Sequence, residues 1–183
     1  MIEHQAGYLL INKTQANKRG YIFVYMNNVD ITINKSFVYD EVAKTTSYAG
    51  SKLLGDERAY QRIFTTDDDQ MMLERFWAEA CNAATGLFKP FVTSVSSNPP
   101  SHGIALSNNY EVKLQLPDRY DTSLSDSVES SLFSFFVSYI VGKWYKFTNK
   151  TEADALLQEA TNLLEDVKRK IYYRKKPTRV IPV

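Results

Sequence analysis

The chain has 183 residues, 44% of them apolar and 13% aromatic, with a formal net charge of +1. A domain of about 150 residues hides roughly 70% of the surface its unfolded chain exposes, so one domain with appendages is the expectation. Cys81 is the only cysteine, which excludes an intramolecular disulfide and a stapled secreted fold, and fits a reducing cytoplasm.

Residues 1–19 are polar and weakly patterned and read as an N-terminal arm. They lack the basic region and long apolar stretch of a signal peptide. A mainly helical domain is expected over 20–173. It opens with a β-hairpin at about 20–34, because strand formers flank Asn27-Asn28, paired asparagines tolerate positive φ, and Val29, Ile31 and Ile33 alternate with polar residues. A short helix follows from Tyr39 to Leu53, with Asp40 near its start and Gly50 near its end.

The clearest helix start is "TTDDDQMMLERFWAEACNAATGLFKPF". Thr65 or Thr66 can cap it, three aspartates meet the free amides and positive dipole end, and Lys89-Pro90 stops it. Leu73, Phe76, Trp77, Ala80, Ala84, Leu87 and Phe88 form its apolar face. "SVSSNPPSHG" from Ser94 to Gly103 reads as a loop. Tyr110, Val112, Leu114 and Leu116 then alternate with polar residues as in a strand with one wet face.

A second long helix is expected from Ser125 or Asp126 to about Phe147, apolar around most of its circumference and so central in a bundle. "LFSFFVSYIVGKWY" within it is too short and too interrupted for the roughly 20 apolar residues of a membrane span. Thr151 and Asp154 resemble a capping box opening a third, amphipathic helix through Leu156, Leu157, Leu163, Leu164, Val167 and Ile171. The fold class is therefore mainly α with minor β content (α+β), with three long helices, a hairpin and one additional strand.

No motif carries catalysis. Cys81 sits on the apolar face of a periodic helix, whereas His4 and His102 fall in irregular stretches, and it reads as a packing residue. Asp67 to Asp69 diverge by about 100° per residue on a helix and cannot converge on a cation. The histidines and the cysteine show no zinc spacing, and the seven glycines form no phosphate loop. The chain is expected to be no enzyme, with no cofactor and no metal.

The end of the chain, "KRKIYYRKKPTRVIPV", carries the asymmetry of charge. Seven of the 22 basic residues lie between Lys168 and Arg179 with no acid among them, leaving 15 basic against 21 acidic residues elsewhere. A basic tail on an acidic body lets copies of one chain attract each other, or a shared acidic partner. Cations and tyrosines together also suit a phosphate backbone and its bases, so a nucleic-acid-binding protein with a basic C-terminal arm is an alternative. Pro177 and Pro182 favour an extended tail over 174–183, and Val180, Ile181 and Val183 offer apolar anchors that neither solvent nor phosphate requires. Ordering such a tail costs about 1–2 kcal/mol per residue, which a protein groove or strand edge must offset. Arg174, Lys175, Lys176, Pro177, Arg179, Val180, Ile181 and Val183 are the candidate docking residues.

The order of parts resembles a known family. "TTDDDQMMLERFWAEACNAATGLFKPF", the following strand, "VESSLFSFFVSYIVGKWYKF" and "TEADALLQEATNLLEDVKRKIYYRKK" are together similar to the head-tail connector, or portal adaptor, proteins of tailed bacteriophages. "EVAKTTSYAGSKL" and "DERAYQRIFTTDDD" look like stretches of hypothetical proteins from gut (crAss-like) phages and prophages. The resemblance implies a three-helix adaptor-like bundle and a non-enzymatic virion protein, made in the host cytoplasm and placed in the neck. It further implies a homo-oligomeric ring of about twelve copies that joins the portal to tail or next-ring proteins. Genomic DNA would pass through the channel without sequence-specific binding, and no membrane is involved. The N-terminal hairpin departs from the minimal adaptor pattern, and another neck or tail component, such as a tail-completion protein, is the alternative within the same class.

Overall fold

The computed structural model describes residues 26–52, 67–96 and 109–176. Strand β1 (Met26–Asn34) buries Val29, Ile31 and Ile33 and exposes Asn28, Asp30 and Thr32, the period-two pattern of a half-wet sheet. It pairs antiparallel with β3 (Asn109–Pro117), whose Tyr110, Val112, Leu114 and Leu116 line the same inner face. The turn expected at Asn27-Asn28 is corrected by this pairing. Both asparagines are strand residues opposite Leu116 and Gln115, because tolerance of positive φ does not demand it and a nine-residue ladder outweighs it. Asn27 donates its side-chain amide to the carbonyls of Pro117 and Asp118, at 3.4 and 3.1 Å. The other half of the expected hairpin, 20–25, and the arm at 1–19 lie outside the described residues.

Helix α1 (Lys35–Lys52) starts directly where β1 stops, four residues before the expected Tyr39. Asn34 makes the switch: its Oδ1 accepts from the Ser36 amide at 2.9 Å and the Phe37 amide at 3.4 Å, the work of an N-cap. Val38, Val42 and Thr46 are buried at four-residue steps. Helix α2 (Asp67–Phe88) matches its sequence signals, beginning at the aspartate run and ending before Lys89-Pro90.

Beyond Pro90 the Ser-rich stretch is not all loop. Val92–Ser96 is a strand, β2, paired antiparallel with β3 through Ser94, Val95 and Ser96, with a register slip between Val92 and Ser94. The rest of the expected loop lies outside the described residues. The sheet order is β1-β3-β2, so β3 is central.

A 3-10 turn (Thr122–Leu124) leads into α3 (Ser125–Thr148), and α4 (Lys150–Tyr172) returns antiparallel to it. Four helices are therefore described: the three long ones expected and α1, which at 18 residues is no shorter in kind than they are. Asn149 ends α3 and caps α4, its side chain accepting from the Glu152 amide at 3.4 Å; the expected cap at Thr151 falls inside the helix. Helix α3 contacts α1, α2, α4 and β1, which explains an apolar circumference. Phe136 on α3 packs against Trp77 of α2 and Tyr110 of β3, with ring centroids 4.8 and 5.6 Å apart. Side chains of this size contribute about 1.5–3 kcal/mol each when fully buried. No helix among the described residues is long and apolar enough to cross a membrane.

The α3–α4 seam is closely packed. On α4, Ala153, Ala160 and Val167 are buried at a seven-residue period, the spacing of an antiparallel helix seam. Gly142 of α3 faces Leu156 and Leu157 of α4, and a Cβ there would stand 2.9 Å from Leu157 Cγ and 3.3 Å from Leu156 Cβ. The glycine is what lets the backbones approach.

Candidate partner interface

The basic C-terminus is anchored before it leaves the domain. Tyr173 turns the chain from helix to extended backbone, with φ −63° and ψ 139°. Arg174 then forms an antiparallel bridge with Tyr120 and donates its guanidinium to the carbonyls of Ile171 and Tyr173, at 2.7 and 2.9 Å. A cation at a helix C-terminus meets both the unbonded carbonyls and the negative dipole end. The Lys175 amide donates to the Arg119 carbonyl at 2.9 Å, and Arg119 returns a bond to the Lys175 carbonyl at 3.0 Å.

Asp121 completes this joint. Its Oδ1 caps the 3-10 turn, accepting from the Ser123 hydroxyl at 2.7 Å, and lies 2.9 Å from Lys175 Nζ. Hydrogen bonds from Lys175 and Ser123 hold its carboxyl below the usual carboxylate range. Of the eight candidate docking residues, Arg174 and Lys175 thus engage their own domain, and Lys176 is exposed. Pro177, Arg179, Val180, Ile181 and Val183 lie outside the described residues.

A second surface was not foreseen from the sequence. A groove of about 740 Å³ lies between the end of α2 and the second half of α4, with Ala83, Gly86 and Leu87 on one wall and Leu164 and Tyr172 on the other. Pro90 and the charged side chains of Lys89, Glu165 and Lys168 complete its lining. Leu87, expected on the buried face of α2, is only half-buried because the groove leaves one side open. Gly86 is exposed, and a Cβ added there would meet nothing within 4 Å. A glycine inside a helix costs about 1 kcal/mol relative to alanine, and here the chain's own packing does not require it.

Three polar clusters tie the helices together. Lys35 reaches Glu74 at 2.5 Å and Tyr39 donates to the same carboxylate at 3.3 Å, joining α1 to α2. These residues line a polar pocket of about 580 Å³ with Asn34, Ser36 and Asn109. Glu79 receives Lys143 at 2.7 Å, Tyr139 at 3.3 Å and Arg75 at 3.2 Å, joining α2 to α3. Partial burial raises the Glu79 carboxyl, but the Lys143 and Arg75 hydrogen bonds outweigh it and hold it low. Lys170 bonds Asp166 at 2.6 Å and the Ser131 hydroxyl at 2.7 Å, joining α4 to α3. Its hydrogen bond keeps the Asp166 carboxyl below its usual range.

Cys81 is buried as expected, and burial pushes its thiol up to about 12 despite the pull of Lys35. Such a thiol is a packing group rather than a nucleophile. Both histidines lie outside the described residues, and no group of three or more His, Cys, Asp or Glu side chains is placed to hold a metal among those described. What the arrangement offers chemically is contact: an anchored basic tail and an open apolar groove.

Comparison with family models, curated proteins and solved structures finds no match for the chain.

Proposed function

We propose that this chain is a non-enzymatic structural subunit of a tailed-bacteriophage neck, assembling head to tail into a ring that joins the portal to the tail and surrounds the DNA path. The observation that carries this reading is the joint at Arg119–Asp121. It holds the last described residues against the domain and launches a segment with apolar anchors from a fixed point. The basic tail and the largely apolar groove differ in chemistry, which suits a heterologous ring contact. The adaptor-like order of helices in the sequence supports the same reading. Within it, the helical body forms the ring wall and the tail grips the portal or a neighbouring subunit.

Changing Ile181 and Val183 together to Asp is expected to abolish assembly, read by analytical ultracentrifugation, while retention on duplex DNA is unaltered. Unchanged assembly would contradict a docking role for the tail. Tyr172 and Tyr173, 47% and 53% exposed among basic residues, favour a second reading as a nucleic-acid-binding arm. That reading predicts duplex affinity falling steeply with salt, carried by Lys and Arg rather than by Ile181.

A further inference from the structure

We propose that the surface around Tyr172 binds single-stranded nucleic acid, with Lys89, Lys168 and Arg169 on phosphates and Tyr172 and Tyr173 stacked on unpaired bases. The proposal rests on the second reading above and moves its contact from the tail onto the folded domain. It uses no residue beyond Tyr173, so it stands whether or not the tail docks on a protein. Two distant segments build the surface. Lys89, just past the end of α2, lines the same depression as Lys168 and Tyr172 of α4. Phe91 packs edge-on against Tyr172, with ring centroids 5.2 Å apart, and Arg169 stands one turn before both tyrosines.

Unspent charge is the first support. Lys89, Lys168 and Arg169 are exposed, and among the described residues their one ion pair is Lys168 with Glu165, at 3.5 Å between side chains more than half exposed. The neighbouring acids are taken up elsewhere: Asp166 meets Lys170 and Ser131, and Asp121 meets Lys175. Cations gather at helix ends to meet free carbonyls and the negative dipole end, yet here other groups supply the hydrogen bonds. The Phe88 carbonyl accepts from the Phe91 amide at 2.8 Å, the Lys170 carbonyl from the Tyr173 amide at 3.2 Å and the Ile171 carbonyl from Arg174 at 2.7 Å. Arg169 reaches a carbonyl, that of Glu165, only at 3.4 Å. Three cations beside one weakly held acid make a surface complementary to a polyanion.

The tyrosines select which polyanion. Both stand about half exposed beside these cations. An acidic protein would leave the two rings without a matched partner, and a duplex keeps its base faces stacked inside. An unpaired strand presents phosphates and flat base faces side by side, and stacking on an aromatic ring adds to the phosphate contacts without requiring a particular sequence. Phe91 fixes the Tyr172 ring before any ligand arrives, so little side-chain freedom is lost on stacking.

The test follows the fluorescence anisotropy of a labelled oligothymidylate of about 12 nucleotides, titrated with the full-length chain at several salt concentrations. Lys89→Gln combined with Lys168→Gln is expected to weaken binding at least tenfold and to lower the slope of log affinity against log salt by about 1.4, the share of two single-strand phosphate contacts. Tyr172→Leu, which keeps an apolar contact for Phe91, is expected to weaken binding at least fivefold with the salt slope unchanged, whereas Tyr172→Phe keeps it. Lys146→Gln with Lys150→Gln, exposed at the opposite end of α4, is expected to change binding less than twofold. Losses no larger than this control's overturn the proposal. So does a duplex of the same length, or polyglutamate, that binds as tightly as the oligothymidylate. Binding that survives at Lys89, Lys168 and Tyr172 but is lost with Lys176→Gln and Arg179→Gln removes this site and leaves the nucleic-acid reading to the tail. No binding by the unchanged chain at low salt removes both.

Discussion

The α3–α4 seam and the α2–α4 groove share one helix and differ in what their glycines are for. At the seam, Gly142 lies under Leu157, so the fold itself explains the missing side chain. At the groove, Gly86 faces nothing, and an unfavourable helix residue stands where alanine would fit. The same α4 thus carries a finished interface on one side and an unfinished one on the other. The seam holds the domain together, and the groove is left open.

Substitutions that treat the two glycines alike should separate them. Gly142→Val is expected to have the largest effect, a loss of about 3 kcal/mol in urea unfolding, because the seam must spread to admit the side chain. A loss below about 0.5 kcal/mol would mean the seam is slack, and the contrast would fail. Lys170→Met removes the brace across the same seam and should cost about 1 kcal/mol at pH 7, a modest figure because both charges keep some solvent access.

The pH dependence of that brace follows from Asp166. Its carboxyl is held below 3.8 in the folded chain, first by the Lys170 hydrogen bond, so its stabilisation is complete above the unfolded value and disappears as pH falls through the folded one. The difference between Lys170→Met and the unchanged chain should therefore begin to shrink as pH falls below about 3.8 and shrink further through the folded value, leaving the part owed to the Ser131 bond. A gap undiminished on acidification in urea titrations would assign the effect to the Ser131 bond and packing rather than to Asp166. Gly86→Ala should give the smallest change and the opposite sign, a gain approaching 1 kcal/mol. A loss would show that the groove wall is closer than the fold implies.

Periodic stretches were legible in the sequence because burial itself imposes the period. The buried faces of β3, α2 and α3 follow from Tyr110 to Leu116, Leu73 to Phe88 and Val128 to Trp144. Turn chemistry was less legible. Asn27-Asn28 suits a turn but pairs with β3, Asn34 and Asn149 are the helix caps, and Ser94 to Ser96 form strand only because β3 offers an edge. In each case a distant segment decides between local options of similar energy.

The candidate site divides in the same way. The basic run announced the tail, but not that Arg174 and Lys175 would be spent on Ile171, Arg119 and Asp121. The groove was invisible, since its walls are about 80 positions apart in sequence and gain meaning only once packed side by side. Gly86 looked like one of seven dispersed glycines. Its open surroundings, which only the fold reveals, set it apart from Gly142.

Electron microscopy of the purified full-length protein, alone and mixed with a candidate portal, tests the central claim most directly. Closed rings of one copy number in at least one condition are the predicted result. A monodisperse monomer in both would contradict the account.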